Sequence, residues 1–175
     1  GSTDDLRSIT PEFFLQYDPG DFFLTASIAR SGDRHDLSRH ITYAGLDETA
    51  TASPSGSRLD LGITAGISFI AGDWTVTPVA GLLDSTFKMD DFVESGTLGA
   101  NLAVSGWTNR SLRSHLGAEA TRVAGMFTPR LAVRWLHEFK DDRSFTARLA
   151  GATGSGYSAM GREAETDLVE ASLSV

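Results

Sequence analysis

The sequence predicts an all-β chain built as an antiparallel up-and-down meander, and three observations predict it. Apolar residues recur at every second position along several runs. Short polar turns and longer polar loops separate these runs. No segment carries a convincing 3.6-residue period, and the one stretch that could be read as a helix, 163–173, alternates at Val169, Ala171, Leu173 and Val175. Alternation with period two puts opposite chemistries on the two faces of a strand.

Taken in chain order, the first clear run sets Phe22, Leu24, Ala26 and Ile28 against Phe23, Thr25, Ser27 and Ala29. It follows the turn signal Asp18-Pro19-Gly20-Asp21 and precedes Ser31-Gly32-Asp33, which reads as a second turn. Ser53-Pro54-Ser55-Gly56 reads as a third. The longest alternation comes next. Leu59, Leu61, Ile63, Ala65, Ile67 and Phe69 are interleaved with Asp60, Gly62, Thr64, Gly66 and Ser68. After Ala71-Gly72-Asp73, the segment 74–80 echoes 126–132, each with Thr-Pro near the start of a strand, where a missing N–H does least harm. Leu112, Leu116, Ala118 and Ala120 then share a face opposite Arg113, His115, Gly117, Glu119 and Thr121. Leu131, Val133, Trp135 and His137 oppose Arg130, Ala132, Arg134 and Glu138. Lys140-Asp141-Asp142-Arg143 is the next turn signal. Phe145, Ala147 and Leu149 oppose Thr146, Arg148 and Ala150, and Gly154-Ser155-Gly156 punctuates the long polar loop 153–165. Val169, Ala171 and Leu173 oppose Glu170, Ser172 and Ser174. About nine strands are recognisable in all.

Composition bounds the function. A chain of 175 residues suits one domain. A net charge of −8 argues against nucleic-acid binding, which needs a basic face. The absence of Cys excludes disulfides, thiolate metal sites and a Cys nucleophile. No apolar stretch is long enough for a transmembrane helix, and no signal peptide is visible. Thirteen of the 15 basic residues are Arg, leaving only Lys88 and Lys140, although soluble sheets commonly guard their edges with Lys.

Alternation alone fits two opposite designs. A soluble sandwich or ligand-binding barrel turns its apolar face inward, whereas an outer-membrane barrel turns it to lipid. Soluble β-proteins are commoner. Against that, the polar faces here carry Gly, Ser and Thr with a few Arg and Glu, as a crowded lumen would. Runs of about 9–11 residues also match a tilted bilayer crossing better than an ordinary soluble strand. Most Asp residues fall in loops.

Five segments then occur in a familiar order. They are Asp36-Leu37-Ser38-Arg39-His40-Ile41, residues 74–82 with Thr77-Pro78, and Asp91-Phe92-Val93-Glu94-Ser95-Gly96. Asn109-Arg110-Ser111-Leu112-Arg113-Ser114-His115-Leu116-Gly117 and residues 127–139, with Thr128-Pro129 and Trp135-Leu136-His137-Glu138-Phe139, complete them. The chain from about residue 20 to 175 resembles the C-terminal β-domain of autotransporters, type V secreted proteins of Gram-negative bacteria. The resemblance implies an antiparallel up-and-down transmembrane β-barrel of about twelve strands. It further implies an outer-membrane location, contact with outer-membrane lipid, assembly by the barrel-assembly machinery, and a passenger or linker segment of the same protein in the pore. The family ends on an aromatic residue, whereas this chain ends at Ser174-Val175, so the domain is expected to be incomplete at its C-terminus. Residues 1–11 are expected to be a linker or tag-derived leader.

On that reading, Asp60, Arg113, Glu119, Arg134, Glu138, Arg148 and Glu170 are the lumen-facing candidates. Leu59, Leu61, Ile63, Ile67, Phe69, Leu131, Val133 and Trp135 are the lipid-facing ones. Trp74 and Tyr157, both near turns, are the preferred interfacial aromatics. The four His residues lack metal-ligand spacing, and no Gly-x-Ser-x-Gly elbow exists, so no metal, cofactor or catalytic residue is assigned and the chain is not expected to be an enzyme. Two other functions fit the residues: a soluble β-sandwich or ligand-binding barrel, and a small closed outer-membrane barrel without a passenger.

Overall fold

The computed structural model describes residues 1–43, 45–142, 144–152, 154, 156–160 and 166–174. The expected turn residues Arg143 and Ser155, loop residues 153 and 161–165, and Val175 lie outside the described residues. Fourteen strand segments are present: β1 Ser2–Ile9, β2 Glu12–Tyr17, β3 Phe22–Tyr43, β4 Leu46–Ala52, β5 Ser55–Ile67, β6 Phe69–Ala71, β7 Trp74–Met89, β8 Phe92–Val93, β9 Leu102–Val104, β10 Trp107–Arg122, β11 Arg130–Asp142, β12 Ser144–Leu149, β13 Tyr157–Met160 and β14 Asp167–Ser174. All pairing is antiparallel.

The ladder register groups these segments into seven through-going strands. β1 and β2 lie end to end along one side of β3, and β4 and β5 lie end to end along the other. β6 continues β5 along β7, and the sheet then runs through β10 and β11 to β14. Ser2–Ile9, expected as a leader, is therefore a paired strand of this wall.

Three expected turns are corrected. Lys140-Asp141-Asp142 lies inside β11, paired with Leu112, Ser111 and Arg110 as the strand runs on toward β12. Ser31-Gly32-Asp33 lies inside β3, because Gly32 pairs with Ile9 on one side and Ser57 on the other. Two flanking ladders outweigh a local preference for turning. Ser53-Pro54 is only an interruption, since β4 and β5 keep one register against β3, and Pro54 O still accepts from His35 N at 3.0 Å. Pro78 also departs from expectation, sitting well inside β7 opposite Ala118. Its missing donor coincides with the gap between β5 and β6, where the Ser68 N–H turns to Asp21 O at 2.6 Å instead.

The short connections 18–21, 72–73 and 123–129 all lie at one end of the wall, and the long excursions rise from the other. β8, β9, β12 and β13 form a second sheet in the same lateral order as β7, β10, β11 and β14. Each is the direct chain continuation of its counterpart, so this sheet is an upper storey of the wall. The bridge Thr51↔Ser95 ties it to β4. Ala50, Met89, Val104 and Ala147 are buried at or near the junction of the storeys, and Val79 is the one other buried apolar residue among those described.

The lower wall is not closed. β1 and β14 are its edges, and every residue of both is exposed.

Candidate functional site: a polar trough behind an apolar band

The wall is curved, and the curvature decides which face encloses space. Glu12 on β2 and Arg113 on β10 line one cavity together with Arg58 and Asp60. Gln16 on β2 and Arg130 and Arg134 on β11 line another. Strands five ladders apart can share a cavity only if the face between them is concave. That concave face is the polar one.

The longest alternation shows the sorting. Leu59, Leu61, Ile63, Ile67 and Phe69 are exposed on the convex side, with Ile63 46% accessible. Asp60, Gly62, Thr64 and Ser68 are partly covered and Gly66 is buried, all on the concave side. Leu131, Val133 and Trp135 share the convex side with Leu59, since the register places Leu131 opposite Ala120 and Ala120 opposite Val76. Each of the eight expected lipid-facing residues thus belongs to one convex apolar band. Phe13, Leu15, Phe22, Ile28, Leu82, Leu116, Val169 and Leu173 extend it across all seven strands.

The band is slanted across the hydrogen-bond rows. On β2 and β3 it reaches Phe13 and Ile28, which pair. Followed sideways, that row meets Leu61, then Asp84, then Leu112, then Lys140. On β14 the band stops at Val169, while on β11 it runs past Trp135 to Phe139, which is exposed and stands edge-on to His137. The row of Val169 meets β3 only at Leu24, four residues short of Ile28.

Six of the seven expected lumen residues line the concave face. Asp60 accepts from Ser85 Oγ at 2.5 Å. Glu138, buried among these strands, accepts from Ser111 Oγ at 2.8 Å and pairs with Arg113 at 3.3 Å. Glu119 receives Arg134 at 2.7 Å and Arg130 as well. Glu170 stands directly opposite Arg134 in the ladder. Opposite charges thus meet across strands in a trough whose walls are Ser, Thr and Gly. Arg148 is the exception: it lies on β12 in the upper storey, where it donates to Ala152 O at 3.2 Å.

Glycines make room for these side chains. A Cβ on Gly81 would fall 2.3 Å from the His115 ring, one on Gly66 2.4 Å from the Phe23 ring, and one on Gly117 2.9 Å from Arg134 Cγ. The Gly residues of the alternating runs are therefore seats for neighbouring side chains.

Sequence reasoning overlooked Arg130, although its parity matches Arg134. It also left Arg39 and Glu94 unlinked. Arg39 Nε donates to Glu94 Oε1 at 3.0 Å, and its second nitrogen reaches Glu94 Oε2 at 2.5 Å and Ala100 O at 2.8 Å. The hydrogen bond that Arg39 donates to Glu94 raises the Arg39 pKa above its ordinary value, opposed in part by burial. Glu94 also accepts from Leu102 N at 2.8 Å. Two segments singled out separately in the sequence thus form one latch between wall and upper storey.

The aromatics need one correction. Trp74 opens β7 at the short-turn end of the band, with Tyr17 at the same end on β2. Tyr157 lies in the upper storey and not on the wall. Trp135 stays on the wall in the upper part of the band, donating its indole N–H to Asp167 at 3.0 Å. The four histidines are dispersed: His35 lies 2.9 Å from Asp4, His40 3.1 Å from Asp47 and His137 3.0 Å from Asp167, while His115 is 3.4 Å from Thr64 Oγ1.

One comparison with known proteins bears on the whole chain. The family model described as "Autotransporter beta-domain" matches residues 1–175. A search of curated proteins returns no match.

Proposed function

Because this chain belongs to the autotransporter β-domain family, we propose that it is a translocator β-barrel of the Gram-negative outer membrane, one that anchors a passenger and helps export it to the cell surface. The observation that carries this reading is the sorting of the two faces. A soluble sandwich or ligand-binding barrel would need Leu61, Ile63, Ile67 and Phe69 in a dry core, with Asp60 and Thr64 in water. The exposures run the other way. A soluble chain of this length also needs a sizeable core, and here five apolar residues are buried among those described.

In this reading the convex band faces lipid, and Asp60, Arg113, Glu119, Arg134, Glu138 and Glu170 face the lumen. Membership of the family supports the outer-membrane location, assembly by the barrel-assembly machinery, and a passenger or linker segment in the trough. The cross-strand ion pairs keep the trough wet and give an extended polypeptide polar partners along its path. No bond is made or broken in this work, which is transport driven by folding of the passenger outside. A small closed barrel without a passenger would need β14 to ladder onto β1, a pairing absent among the described residues.

The test is solubility and heat-dependent mobility of the purified chain. The expected result is a requirement for detergent, with unheated protein migrating differently from boiled protein. A monodisperse monomer in detergent-free buffer overturns the membrane reading.

A further inference from the structure

The cations of the wall fall into two populations. Most of those on the concave side are neutralised, Arg39 by Glu94, Arg113 by Glu138, Arg130 and Arg134 by Glu119, while Arg58 lies over the Phe87 ring. A second set lies on the convex side, at or above the upper limit of the apolar band, and all of it is exposed. Arg30 is the next outward residue after Ile28, and Arg110 the next after Leu112. Lys88 and Arg34 stand higher on β7 and β3, and Arg7 on β1 is directly opposite Arg34. Lys140 is paired with Leu112 at the same rim, so both lysines of the chain are there.

Among the described residues Arg30, Arg34 and Lys88 make no ion pair, and Arg7 reaches Asp36 only at 3.8 Å. Asp84, Asp36 and Asp5 are carboxylates on the same side, and Asp142 stands opposite Arg110 in the ladder, so six cations against these four leave the rim net positive by two. Two arginines directly opposed on one sheet face repel unless an anion lies between them. The short-turn limit of the band is different: Asp18, Asp21 and Asp73 gather there, and Arg122 is already paired to Asp73 at 2.7 Å.

Building on the proposed barrel, we infer that this rim binds the phosphates of a phosphorylated glycolipid in the outward leaflet. The rim lies at the level where lipid head groups begin, on the side of the long excursions. Guanidinium and ammonium groups there match phosphate monoesters in charge and in hydrogen-bonding capacity. Each basic residue near an anionic membrane surface contributes about fivefold in affinity. The rim therefore selects which lipid surrounds the barrel, and on which side.

The test titrates the refolded full chain in zwitterionic detergent with bis-phosphorylated lipid A and with the same lipid stripped of its phosphates. The wild type is expected to prefer the phosphorylated form by at least about tenfold. The variant R30Q/R34Q/K88Q should lose about 100-fold, and R122Q at the other limit should bind as wild type. Should the triple variant fail to show the folded mobility, R30Q and K88Q singly are each expected to lose about fivefold. Equal binding of the two lipids, or wild-type binding by a folded triple variant, overturns the inference. A wild type that is monodisperse without detergent instead overturns the barrel reading beneath it.

Discussion

At the scale of single residues, the two faces of the wall ask for opposite substitutions. Ile63 lies mid-band on the convex side, while Thr25 points into the trough. A cation facing hydrocarbon near mid-membrane costs about 2–4 kcal/mol. Ile63→Arg is therefore expected to depress folding yield in lipid vesicles, measured as the fraction with folded mobility, while Thr25→Arg leaves it nearly unchanged. Similar losses for both variants would contradict the assignment of faces. Glu94 makes a different prediction. Its removal leaves Arg39 without its carboxylate and frees the amide of Leu102. Glu94→Ala should cost about 1–3 kcal/mol, confined to the upper storey. Hydrogen exchange should quicken across 92–104 while the amides of β5 and β7 keep their protection.

At the scale of elements, close backbone approach sets the tolerance of each strand. A Cβ on Gly117 would meet Val133 O at 2.4 Å, and that atom belongs to the neighbouring strand and cannot rotate away. Gly117→Ala should cost about 1–3 kcal/mol by prising β10 from β11, seen as a lower unfolding temperature of the refolded chain. The same scale shows what could be read from residues alone. The 59–69 run is legible because one face is uniformly apolar, so period two survives without knowledge of its neighbours. Ser31-Gly32-Asp33 and Ser53-Pro54-Ser55-Gly56 are misleading for the converse reason. Turn preference is local, and the ladders that hold β3 straight involve residues more than twenty positions away. Arg148 misled in the same way, since alternation fixes parity along a strand and not whether that strand stays in the lower wall.

At the scale of the whole molecule, seven strands share one polar trough, one apolar band and two open edges. Unpaired backbone in hydrocarbon costs several kcal/mol per group, so β1 and β14 need partners wherever this wall meets lipid. The motifs could point to the family because they are local in sequence. Their mutual contacts, such as Arg39 with Glu94, span 55 residues and emerge only from the fold. The slant of the band carries a consequence of its own. A lipid layer is flat, so a band that stops four residues lower on β14 than on β3 obliges the strands to lean when the band is level. For a ring with a given number of staves, lean and bore are tied together. The calibre of the passage is thus written on its outer surface, in where the apolar side chains stop, and not in the charged residues that line it.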